Sequence, residues 1–230
     1  MGISQEILKL IACLTMLIDH TGTVFLPYPI LRIIGRIAFP IYAFLLCQGL
    51  MHTRHPGKYL LRLLLVLVIT ELPFDFLFHG GITFQYQNAM LTLLLGLLMG
   101  LCIRKTASRL MQLLLVIPFA LLAHIARGSY GSYGICIIAL FIFSPCTPHP
   151  RLTEALVLGT LGLFMSESAV LIFGIPIPIQ LFALLALIPV ALYNGKKSTA
   201  SPVIQWSFYL FYPVHLIILF LLKAFLSANC

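Results

Sequence analysis

Charge is what this chain has least of. Asp, Glu, Lys and Arg together make up 9% of its 230 residues, against about 25% in soluble domains. Polar linkers are equally scarce. The longest polar stretch, Asn194–Ser201, is about eight residues. That excludes a separate soluble domain, so any chemistry must take place within or at the edges of a bilayer. The six cysteines form no CxxC pair and no Cys/His metal spacing. This excludes a disulfide framework and gives no metal site. Cys13, Cys47, Cys102 and Cys136 lie in apolar runs, where a thiol behaves as a small hydrophobe. No internal repeat or low-complexity segment is evident. No small-residue cleavage site follows the first apolar run, so the first helix is expected to stay in the membrane.

Hydrophobic residues account for 61% of the chain, and the mean hydropathy is +1.08. The expected fold is all-α: a polytopic membrane-spanning helical bundle forming one domain over residues 1–230. In a soluble chain a net charge of +8 would suggest nucleic acid. Here it is explained by basic cytoplasmic loops, with membrane lipids as partners and no nucleic acid.

A span needs about 20 apolar residues. Nine are expected, at residues 7–26, 30–50, 59–79, 88–103, 110–126, 131–145, 153–173, 176–193 and 206–226. The fourth and sixth are short. Basic residues then vote on orientation. Lys9, Arg54, Lys58, Arg62, Arg104, Lys105, Arg109, Arg151, Lys196 and Lys197 fall on one side. Only Arg32, Arg36, Arg127 and Lys223 fall on the other. All 14 basic residues are thereby assigned, and the excess predicts a cytoplasmic N-terminus in a bacterial inner membrane.

Against this apolar background a few polar residues stand out. Asp19 and His20 interrupt the first span. A charge at bilayer depth costs at least about 2.5–3.5 kcal/mol on insertion scales, so such groups face a protein interior or an aqueous cavity. With the orientation above, Asp19, His20, Arg32, Arg36, Glu71, Asp75, Asn88, Thr92 and Gln180 all lie toward the outer half. Arg32 and Arg36 are four apart and share a helix face. Glu71 and Asp75 do the same, with Pro73 between them. Two arginines can clamp carboxylates with bidentate hydrogen bonds, so these four residues read either as ion pairs between helices or as oxyanion stabilisers. Adjacent helical residues point about 100° apart. Asp19 is therefore expected to pair with an arginine of the second span rather than with His20. A histidine near its ordinary pKa suits proton transfer. Asn88, Gln180, Tyr212 and His215 are candidate substrate ligands; Asn88 also reads as a helix-packing hydrogen bonder.

Several segments carry a family resemblance. They are LIDHTG at 17–22, RIIGRIAFP at 32–40 with the following IYAFLLCQG, HTR at 52–54, TELPFDF at 70–76, QN at 87–88, TLLLGLL at 92–98, QLFALLALIPVALYNG at 180–195 and FYLFYPVHL at 208–216. Together they resemble the TraX family over nearly the whole chain. TraX proteins are implicated in N-terminal acetylation of conjugative pilin and look related to transmembrane acyltransferases. The resemblance implies transfer of an acetyl group from cytosolic acetyl-CoA to an acceptor peptide, pilin or small molecule reached from outside. It makes His20 the catalytic histidine, with Asp19 beside it. His20 would act as general base or carry the acetyl group transiently. The donor's phosphates would meet Arg54, Lys58, Arg62, Arg104 or Lys105. Two other readings stay open: a proton-coupled transporter, because intramembrane Asp, Glu and His also build proton relays, and a scaffold whose ionic residues are packing locks.

Overall fold

A computed structural model describes residues 2–196 and 201–228 of the chain. Lys197, one of the basic residues used for orientation, lies outside them. The described residues are mostly helical, and the protein is an all-α membrane protein with one small hairpin. The chain forms two compact units, each assembled from two separate stretches of sequence. Unit 1 is Met1–Leu45 with Leu140–Gln205; unit 2 is Leu46–Ala139 with Trp206–Cys230.

Unit 1 begins with α1 (Gln5–Val24). Ser4 caps it by accepting from the Ile7 N–H, and Glu6 stands in the first turn, where the helix dipole favours an anion. One face of α1 is buried through Leu8, Ala12, Thr15, Met16 and Asp19, while Ile7, Leu10 and Leu14 point outward. An apolar outer face with a buried aspartate is the reverse of a soluble helix and suits lipid contact. The next expected span is two helices, α2 (Pro29–Gly35) and α3 (Ala38–His52), broken at Arg36–Ile37.

In unit 2, α4 (Pro56–His79) starts on proline, runs through Pro73 and stops at Gly80, whose φ of 75° permits the left-handed cap. The central helix α5 (Ala89–Lys105) is buried along most of its length. The fifth expected span is split into α6 (Arg109–Leu114) and α7 (Val116–Ile125). Pro118 accounts for the break: it has no N–H for the Leu114 carbonyl. α8 (Gly131–Phe143) and α11 (Pro202–Ala228) match their expected spans closely.

Among the described residues three helical stretches are long and apolar enough to cross a membrane: Gln5–Val24, Pro29–His52 and Val203–Ala228. α4 has the length, at 24 residues, but carries Lys58, Arg62, Glu71 and Asp75.

The seventh and eighth expected spans differ from their sequence reading. α9 (Pro150–Phe164) ends early, and β1 (Ala169–Ile172) pairs antiparallel with β2 (Ile175–Pro178). Only Phe173 and Gly174 join the strands, with φ of 51° and 80°. Positive φ at both positions of a two-residue turn matches the right-handed twist of a hairpin. Branched Val170, Ile172, Ile175 and Ile177 favour the extended form, and Pro176 and Pro178 cannot donate to a helix. The chain then continues as a 3-10 segment over Ile179–Ala186 and α10 (Leu187–Ala191).

Candidate functional site

The strongest ionic constellation lies in unit 1 and is built by α1 and α2. Arg36 Nη2 donates to both oxygens of Asp19, each at 2.8 Å. Arg32 Nη1 donates to Asp19 Oδ1 at 2.8 Å and to Thr23 Oγ1 at 2.6 Å. Asp19 and Arg36 are buried, whereas the Arg32 side chain is 35% exposed. The helix break sets this geometry. Arg36 caps α2, and its side chain folds back to donate from Nε to the Arg32 carbonyl at 3.3 Å. Gly35 lies so close to the Asp19 carboxylate that a Cβ there would collide with it. Thus α2 approaches α1 at a glycine, and two guanidiniums meet one carboxylate.

One residue further on, His20 is half-buried. Since Asp19 is turned to the arginines, the adjacent imidazole projects from a different face of α1. Asp19 can hold the arginines in place, and the more exposed Arg32 keeps donor capacity that Arg36 has largely spent. Among the described residues no group of three or more His, Cys, Asp or Glu side chains is arranged to hold a metal ion.

Glu71 and Asp75, expected alongside the arginines, take neutral partners within unit 2. The Asn88 side-chain amide donates to Glu71 Oε2 and to the Leu67 carbonyl. Its backbone N–H also points at Glu71 Oε2, at 3.4 Å. Asn88 Oδ1 in turn accepts from the Met90 N–H at 2.8 Å, capping α5. Asn88 is therefore a helix cap and an anchor for Glu71, and its amide is fully engaged. Asp75 Oδ2 accepts from the Thr83 N–H at 2.9 Å. Glu71 Oε1, Asp75 Oδ1 and Thr92 Oγ1 are buried without a hydrogen-bond partner among the described residues.

The Tyr212 hydroxyl accepts from the Ala89 N–H, joining α11 to the start of α5. His215 lies one turn later on the same buried face. Its Nδ1 is 2.8 Å from the Phe211 carbonyl, and its ring stacks on Phe211 at 4.9 Å. Asn88 and Tyr212 thus meet within unit 2, with His215 next to them, while Gln180 belongs to unit 1 at the start of the 3-10 segment. The Gln180 backbone N–H donates to Ser166 Oγ at 3.3 Å.

The five basic candidates for phosphate contact, all in unit 2, divide into two kinds. Arg104 Nη1 donates to the Leu50 carbonyl at 2.7 Å, satisfying the last turn of α3. Arg62 donates to the Tyr209 hydroxyl, and its guanidinium carbon sits 5.7 Å from the centre of the Trp206 ring. Arg54, Lys58 and Lys105 are exposed and make no hydrogen bond or ion pair among the described residues.

Sequence reasoning missed Glu154. It is buried in unit 1, where its Oε1 accepts from Ser144 Oγ at 2.8 Å and its Oε2 from Arg151 Nη1 at 2.7 Å. The signal was available: an acid three residues after Arg151, opening an apolar helix.

A family model described as TraX protein matches residues 4–223. The chain is also similar to Probable fimbrial assembly protein FimC, serogroup H1, of Dichelobacter nodosus. The two are 32% identical over 238 residues, which cover 96% of this chain and 96% of the relative. No solved structure matches the chain.

Proposed function

The chain belongs to the TraX family, and on that premise we propose that it is an inner-membrane acetyltransferase. It moves an acetyl group from cytosolic acetyl-CoA to an amine or hydroxyl presented from the other side, such as the N-terminus of a pilin or fimbrial subunit. The N-terminus lies in the cytoplasm. The observation that carries the reading is the Asp19–Arg36–Arg32 constellation beside His20. With the Asp19 carboxylate engaged by two guanidiniums, proton transfer falls to the adjacent imidazole.

His20 takes the proton as the acceptor nitrogen or oxygen attacks the thioester carbonyl. The carbonyl oxygen becomes an oxyanion, which Arg32 stabilises. The C–S bond then breaks, an amide or ester remains on the acceptor, and the CoA thiolate recovers a proton from His20. Within unit 2, Arg54, Lys58 and Lys105 make no hydrogen bond or ion pair among the described residues, and their charge suits phosphate groups. Purified protein in detergent tests the donor. Acetyl-CoA should raise the unfolding temperature in a concentration-dependent way. An unchanged temperature at millimolar ligand sinks the reading.

A second reading, a proton-coupled transporter, is favoured by one specific feature. Glu71 and Asp75 are four residues apart, and each has a buried oxygen with no hydrogen-bond partner among the described residues. Proton-coupled flux in liposomes distinguishes the two.

A further inference from the structure

The donor reading provides cations for phosphates but nothing for the adenine of coenzyme A. Trp206 is the chain's single tryptophan. It stands near the start of α11 and is 44% exposed. The Arg62 guanidinium lies over its ring at 5.7 Å, and the Tyr209 ring sits 5.8 Å away. Arg62 also donates to the Tyr209 hydroxyl. The arginine is thus fixed between an indole and a phenol, and it braces the two rings rather than reaching for a distant anion.

Lys58 precedes Arg62 by four residues on α4, so the two share a helix face one turn apart. Lys58 is exposed and makes no hydrogen bond or ion pair among the described residues. A braced aromatic plate with an available ammonium about one helical turn away suits a nucleotide. The base stacks on the ring, and a phosphate meets the cation. A tryptophan serving only as an interfacial anchor for lipid needs no such brace.

We infer that Trp206, held by Arg62 and Tyr209, is the stacking platform for the adenine of the coenzyme A donor, with Lys58 meeting its phosphates. The inference rests on the acetyl-CoA reading. The single tryptophan makes the test direct, because all tryptophan emission comes from this position.

Full-length protein in detergent is titrated with coenzyme A, with ADP and with pantetheine, following both fluorescence and heat. Coenzyme A and ADP should quench the emission, with a coenzyme A midpoint that matches calorimetry, and pantetheine should not. Trp206→Leu should weaken coenzyme A binding on the order of tenfold, and Trp206→Phe should restore most of it. Should Trp206→Leu fail to fold, the wild-type titration and Trp206→Phe decide. Calorimetric binding of coenzyme A with unchanged emission, and with full affinity in the Trp206 variants, overturns the inference and leaves the donor reading standing. Absence of any calorimetric binding to folded wild-type protein overturns both, and that result precedes any variant.

Discussion

Arg36 grips both carboxylate oxygens of Asp19 at 2.8 Å, with both side chains buried. Breaking a buried pair from one side leaves an uncompensated charge and costs about 3–5 kcal/mol. Arg36→Met should therefore destabilise the protein by an amount in that range. Combining it with Asp19→Leu should cost less than the sum of the two single changes. Thermal unfolding of the four proteins in detergent measures the coupling. Strict additivity would show that the pair contributes nothing jointly.

Gly35→Ala should be as damaging as loss of the ion pair, for a steric reason. A methyl group there would strike the Asp19 carboxylate itself, which the arginines hold in place. Gly57→Ala is the control, since nothing lies within 4 Å of its added carbon. The expected result is a lower unfolding temperature for Gly35→Ala alone.

Asn88 and Glu71 should respond differently to substitution. Asn88→Ala removes a helix cap and deprives both Glu71 Oε2 and the Leu67 carbonyl of a side-chain donor. Each lost bond costs about 1–3 kcal/mol when the partner stays buried. Glu71→Gln keeps an oxygen that can accept from Asn88 and removes a charge that has no cationic partner among the described residues, so stability should hold or rise. Chemical unfolding of both variants checks the order.

Much of the site was legible in the sequence because charge is costly in an apolar run. Asp19, Arg32 and Arg36 stood out on that ground alone, and the offset of about 100° between Asp19 and His20 pointed Asp19 toward an arginine of the second span. Sharing a helix face did not reveal partners for Glu71 and Asp75, since neutral amides such as Asn88 and the Thr83 N–H can serve a carboxylate as well. The hairpin at Ala169–Pro178 was hidden because an unbroken apolar run fits a buried helix or a strand equally. The deciding signals were local: branched residues, two prolines and a two-residue turn at Phe173-Gly174. Helix breaks at Arg36–Ile37 and Leu115 were likewise invisible to a hydropathy window, which averages over them.

The phosphate candidates should also separate by role. Arg104→Gln should lower stability by removing the donor to Leu50, with little effect on donor affinity. Lys58→Gln should do the reverse, weakening coenzyme A binding in a salt-dependent way. Calorimetry and thermal unfolding on the same preparations make the comparison.

Acetyl transfer by His20→Ala tests whether His20 carries the chemistry. Radiolabelled acetyl-CoA supplies the donor, and a pilin N-terminal peptide supplies the acceptor, with protein reconstituted in liposomes. A general base contributes about 10²–10⁴-fold in rate. The variant should therefore lose transfer by that factor while unfolding at the wild-type temperature and binding coenzyme A with wild-type affinity. Near-normal transfer by folded His20→Ala would contradict the assignment and move the proton-transfer role to another residue.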